Sequence, residues 1–322
     1  MFIAVQSVLS IIVVIACGFL AGRRKILPVD ASQVFSILVV QMTFPVLLFT
    51  SLASSPIEKL MDLRLITAFF FSLMSVYVLV LTISRKFLKR SLKVSAMMAT
   101  VCSFPNMAFM GIPYLSQIFG DDTLFSVAIG NLISSAVMMP LTIIFLERST
   151  DGAGGSALRD LIKREILNLL RKPFFVAPFL GIFVAAFHIP IPSFLLRGLK
   201  IFGDATSPIA LFALGLMMTR FKFTPSWDAV ADMAFKLVLQ PLSAVGFMIL
   251  FGLSGKFAAE IIILIAMPTG IIVPMFAEKY DIYKEETVSS IVGSSILSTV
   301  TLVFFTLIAG KDFLSCYSWR AL

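Results

Sequence analysis

The stretch Ser103-Phe-Pro-Asn-Met-Ala-Phe-Met-Gly-Ile-Pro113 lies inside an apolar run long enough to cross a bilayer. Two prolines, a glycine and an asparagine interrupt what would otherwise be one helix. Proline removes a backbone donor and clashes with the preceding turn. In lipid, each backbone group so freed needs a protein or water partner. A helix broken at mid-depth therefore predicts a cavity or a binding site. The second half of the chain holds a counterpart, Met267-Pro-Thr-Gly-Ile-Ile-Val-Pro274. Two broken helices at corresponding places in two halves are the sequence pointer to a secondary transporter's site.

Composition agrees with that frame. Of 322 residues, 59% are hydrophobic and 14% charged, and the mean hydropathy is +1.00. Soluble domains carry about 25% charged residues, so a polytopic membrane protein is expected. The net charge of +8 does not indicate nucleic acid as a partner, because the basic residues fall in short loops between apolar runs. Cys17, Cys102 and Cys316 are isolated, and His188 is the single histidine. No CxxC or Cys/His cluster occurs, so no metal, cofactor or disulfide framework is expected. An enzyme is not expected either, since no nucleophile–base pair is visible. The phosphate loop GxxxxGK[ST] of an ATP-driven pump is absent as well.

Ten spans are predicted, at 4–22, 34–53, 64–84, 95–119, 122–146, 173–189, 197–218, 230–252, 257–279 and 286–309. Positive charge follows the first apolar run, at Arg23, Arg24 and Lys25, which argues for an uncleaved first span with its N-terminus outside. Most of the 26 basic residues then fall in inner loops, and both termini face out. A charged segment, Arg159 to Arg164, is compatible with a short surface helix in the longest connection.

The halves repeat at a constant offset of 163 residues: Gly18 meets Gly181, Pro45 meets Pro208, Phe49 meets Phe212, Pro105 meets Pro268, and Gly130 meets Gly293. Five spans per repeat is odd, so the second repeat enters the membrane inverted. The expected architecture is all-α: a first repeat at 1–150, a cytoplasmic linker at 151–172 and a second repeat at 173–322, with helices 4 and 9 broken and crossing.

Such a break suits an anion. The N–H groups of a new helix N-terminus carry partial positive charge. Pro105 and Pro268 each suit the first turn of a second half-helix, where a missing N–H costs nothing. Asn106 and Thr269 follow at once, then Gly270 in the second stretch. Asn106 offers two donors and an acceptor without charge. A carboxylate can thus be held without a buried lysine or arginine. A lone asparagine in a membrane helix also commonly bonds a neighbouring helix. Within the eighth span, Asp232 and Lys236 stand at i and i+4. They read either as a pair snorkelling to the inner surface or as a proton-coupling pair.

At these residues the chain resembles the auxin efflux carrier family, the plant PIN-FORMED proteins and their bacterial relatives. Ser103 to Leu115 with Phe119-Gly120 resembles that family's first crossover. Ala266 to Pro274 with Phe276-Ala277 and Tyr280 resembles the second. Phe44-Pro-Val-Leu-Leu-Phe49 and Ala213-Leu-Gly215 resemble its second and seventh helices. The resemblance implies ten helices, a scaffold-and-transport arrangement, elevator-type alternating access, homodimers in the cell (inner) membrane, and an organic anion bound near Asn106 and the crossover prolines. The long central loop of the plant proteins is absent. Ser134, Met139 and Leu48 stand where the plant pocket has Gln, Tyr and Ser, and Phe69 and Leu73 replace an Asp/Lys pair on the third helix. Auxin-like acids and small carboxylates such as malate or malonate both remain as cargo. Proton and sodium coupling both remain as drives. The alternative is a sodium-coupled organic-anion carrier of the bile-acid symporter type.

Overall fold

The computed structural model describes residues 2–28, 30–54, 63–120, 123–151, 163, 167, 170–219 and 226–310. They form helix upon helix, and among them the only strand-like pairing is one isolated antiparallel bridge. In hydrocarbon a helix satisfies its own backbone, which is why long apolar runs take this form. Among the described residues, five helices are long and apolar enough to span: α2 (Ala31–Ala53), α3 (Leu63–Lys86), α9 (Ser193–Met218), α10 (Trp227–Leu250) and α13 (Lys284–Ala309). The others are α1 (Phe2–Arg23), α4 (Leu92–Ser103), α5 (Met107–Phe119), α6 (Leu124–Ile133), α7 (Met139–Asp151), α8 (Pro173–Ala186), α11 (Lys256–Ala266) and α12 (Val273–Lys279). The predicted span 95–119 is thus divided between α4 and α5, and 257–279 between α11 and α12. The proposed surface helix at Arg159 to Arg164 falls almost wholly outside the described residues.

Local signals explain several ends. Ser91 and Ser226 cap α4 and α10 by accepting from the N–H of Val94 at 3.3 Å and of Ala229 at 3.1 Å. Wide π turns interrupt α2 at Val39–Thr43, α10 at Phe235–Leu239, and the join of α6 to α7 at Ser134–Met138. Such turns are insertions that often mark functional positions.

The chain divides into two compact units. One comprises Met1–Leu63, Ala108–Leu132 and Leu169–Lys222. Within it, helices approach through glycine. A Cβ on Gly18 of α1 would lie 2.0 Å from the Phe212 carbonyl oxygen of α9, and one on Gly181 of α8 would lie 2.8 Å from that of Phe49 in α2. Small residues let membrane helices close on one another in this way. The two contacts exchange halves at the same 163-residue offset found in the sequence.

The other unit comprises Arg64–Met107, Ile133–Asn168 and Phe223–Leu322. Its centre is formed by α4 and α11, buried on every side from Ser95 to Ser103 and from Ala258 to Ala266. Helices apolar or small nearly all round belong in such a position; the charged exception is Glu260 of α11, 3.9 Å from Lys256. Around them, Tyr77 on α3 bonds Thr142 on α7 at 2.9 Å, and Thr142 bonds Thr100 on α4 at 2.9 Å. These buried hydroxyls hold three helices in register.

Candidate functional site

The broken stretches meet. Phe104 and Met267 each precede a proline, and both are extended, with φ/ψ of −95/97° and −58/148°; a following proline disfavours helical backbone. The extended segments pair as an antiparallel bridge, Pro105 opposite Thr269. The Asn106 N–H donates to the Pro268 carbonyl at 2.8 Å, and the Gly270 N–H to that of Phe104 at 2.8 Å. Gly270 is required by this approach, because a Cβ there would lie 2.8 Å from the Phe104 ring.

One expectation is corrected here. Pro105 and Pro268 do not occupy the first turn of the second half-helices. Helix resumes at Met107, as a wide π turn to Gly111 before α-helix from Ile112, and at Val273, and the prolines sit in the bridge itself. A proline with no N–H loses nothing in a segment that pairs through its neighbours' donors.

Breaking two helices leaves carbonyl oxygens at the ends of α4 and α11, and their partners are specific. Phe104 N–H takes the Thr100 oxygen at 2.9 Å, and Thr269 Oγ1 donates to the Val101 oxygen at 2.8 Å. Gln240 Nε2 donates to the Ser103 oxygen at 2.5 Å. On α11, Met267 N–H takes the Leu264 oxygen at 3.3 Å, and Lys236 Nζ donates to the Ile265 oxygen at 2.9 Å. Lys236 Nζ also donates to Gln240 Oε1. The Thr269 N–H reaches Ser294 Oγ of α13 at 3.4 Å.

Two polar atoms stand apart from this network. Asn106 is 2% exposed, and its Nδ2 has no hydrogen-bond partner among the described residues. Ser134, in the wide turn Ser134–Met138, is fully buried, and its hydroxyl has none either. A buried polar group without a partner costs about 1–3 kcal/mol; in a native site it marks a group awaiting water or a ligand. Of the six residues predicted for cargo, the bridge unites Pro105, Asn106, Pro268, Thr269 and Gly270. No hydrogen bond among the described residues joins Ser134 to them.

Asp232 and Lys236 also depart from expectation. Both are wholly buried, so they do not snorkel to a surface, and no ion pair joins them. A wide turn begins at Phe235, between the two. Lys236 turns to α11, while Asp232 faces α4 and α13. Cys102 Sγ lies 3.3 Å from Asp232 Oδ1, and the Tyr283 and Ser290 hydroxyls donate to Oδ2 at 3.1 and 3.2 Å. Tyr283 precedes α13 with a left-handed backbone, φ 54°. Burial first, then the Asp232 charge, pushes its phenol well above the ordinary range, which keeps it a donor. Near the start of α10, Arg90 pairs with Asp228 at 2.8 Å.

Gln240, Cys102, Tyr283, Ser290 and Ser294 were not singled out from the sequence. For Gln240 a signal existed: Asp232, Lys236 and Gln240 are spaced four apart on one predicted helix. The others come from distant stretches and leave no local pattern.

Among known proteins, the family model described as "Membrane transport protein" matches residues 3–306. The uncharacterized transporter YfdV of Escherichia coli K12 is 26% identical over 308 residues, 92% of this chain and 95% of that one. A putative malonate transporter of Rhizobium meliloti is 23% identical over 296 residues, 88% and 89% of the two chains. Auxin efflux carrier component 6 of Arabidopsis thaliana is 30% identical over 125 residues, 38% of this chain and 22% of that protein.

Proposed function

The chain belongs to the auxin efflux carrier family of membrane transport proteins, and from that footing we propose that it is a secondary carrier of organic anions. The cargo class is a carboxylate, auxin-like or small, such as malonate or malate. Similarity along most of its length to a protein named as a putative malonate transporter favours the small acids. Transport proceeds by elevator-type alternating access, with the crossover unit carrying the cargo. Ten spans form two inverted repeats, supported by the 163-residue offset and by the exchanged contacts Gly18–Phe212 and Gly181–Phe49. The protein works as a homodimer in the cell membrane, with both termini outside.

The observation that carries this reading is the Nδ2 of Asn106, a buried donor with no partner among the described residues, directly beside the crossing point. Hydrogen bonds to a charged acceptor contribute about 1.5–3 kcal/mol each. Held this way, the anion binds moderately and can be released, as a carrier requires.

The test is a melting-temperature screen of the purified protein against malonate, malate, succinate and indole-3-acetate. A ligand at a hundred times its Kd stabilises the state it binds by about 2.7 kcal/mol. At least one acid is expected to raise the melting temperature in a saturable way. A flat response to all of them, together with no uptake into proteoliposomes, sinks the assignment.

A further inference from the structure

Lys236 is a fully buried amine that, among the described residues, has no carboxylate in contact. Its acceptors are the Ile265 carbonyl, in the last turn of α11, and the amide oxygen of Gln240. The same amide passes its Nε2 to the Ser103 carbonyl, the last residue of α4. Which way the amide faces is fixed by its partners, since an ammonium only donates and a carbonyl only accepts. One side chain and its relay therefore serve the C-termini of both half-helices. Each such terminus carries roughly half a negative charge. Two together come to about one elementary charge, which a single buried ammonium offsets. Carbonyl and amide oxygens at the ends of broken helices are also the ligands that carriers offer to a coupling cation. Lys236 lies in the wide turn Phe235–Leu239 and meets Gln240 four residues on, not Asp232 four residues back.

We propose that Lys236 is a resident cation: its ammonium fills, covalently, a monovalent-cation position at the paired half-helix ends, so that the crossover assembles without sodium or potassium. This rests on the crossover being the centre of the carrier. It also separates the protein from a sodium-driven symporter of similar design.

The experiment measures melting temperature in detergent without any carboxylate, in choline, sodium, potassium, ammonium or methylammonium chloride at constant ionic strength. Its outcome is therefore independent of the cargo screen. A silent screen with intact cation effects removes the transport assignment alone, and the reverse removes only the resident cation. The parent protein is expected to melt alike in all five salts. Lys236→Ala, which empties the position, is expected to melt lower in choline and to regain several degrees, saturably, with at least one of the small cations. Lys236→Met fills the space without charge, and is expected to stay low in every salt. A saturable sodium or potassium response of the parent overturns the proposal. So does a Lys236→Met protein as stable as the parent, or a folded Lys236→Ala protein that no cation restores. If neither variant folds, the parent's response decides: indifference sustains the resident cation and a saturable shift refutes it.

Discussion

Asn106 carries the sharpest prediction because its environment is so unbalanced. Its backbone N–H is spent on Pro268, while its Nδ2 has no partner among the described residues. Asn106→Ala removes the free donor and little bulk. Binding of the carboxylate found by the screen is expected to weaken roughly ten- to a hundredfold, the equivalent of one charged hydrogen bond, with an unchanged melting curve. Asn106→Asp is expected to bind worse still, because it sets negative charge against an anion. Asn106→Gln is expected to keep part of the affinity. Parent-like affinity for the alanine variant places the cargo elsewhere, and loss of the fold makes Asn106 a structural cap. Asp232 is the second residue to test. It is faced by Cys102 from α4 and by Tyr283 and Ser290 from the start of α13, with Asp228 and Lys236 one turn away on its own helix. If its carboxyl carries a proton through the transport cycle, Asp232→Asn is expected to flatten the pH profile of uptake and leave binding intact. An unaltered profile would confine Asp232 to holding helices together. The sequence singled out both residues. It left Asp232 and Lys236 as a snorkelling or a coupling pair, and their burial was not legible because their partners on α4, α11 and α13 come from distant stretches.

At the scale of elements, the crossing is a short bridge between two extended segments, and its tightest point is Gly270. Gly270→Ala is expected to cost about 1–3 kcal/mol through overpacking against Phe104, read as a lower melting temperature. Gly246→Ala, on α10 with open space where its Cβ would go, serves as the control and is expected to be neutral or slightly stabilising. Equal melting of the two variants would mean that the segments part without strain. The breaks themselves were legible, since proline, glycine and asparagine in an apolar run have few other readings. The partners of the freed carbonyls were not legible. Val101 and Ser103 find theirs in Thr269 and Gln240, 168 and 137 residues away in sequence, and spacing rules reach only within one helix.

For the whole molecule, apolar runs and the 163-residue offset yield ten spans and an inverted repeat, while five long helices and a set of shorter pieces are what the coordinates display. Two of the expected spans, 95–119 and 257–279, are divided at the breaks into pieces individually too short to span. The inside-positive loops carry the topology prediction. Single cysteines placed between Arg85 and Lys93 are expected to react with an impermeant maleimide only after the cells are opened. Labelling of intact cells would invert the orientation.

The long reach of those carbonyl partners has a consequence for how the protein comes into being. When α4 leaves the ribosome, Gln240 and Thr269 have not yet been made. At about 5–20 residues per second, the wait is on the order of ten seconds. During that time the carbonyls of Val101 and Ser103 must lean on water, on the insertion machinery or on a chaperone. The first half is therefore a dependent fragment: a chain halted near residue 172 is expected to be cleared quickly by membrane proteases, and co-expression of the missing half is expected to lengthen its lifetime.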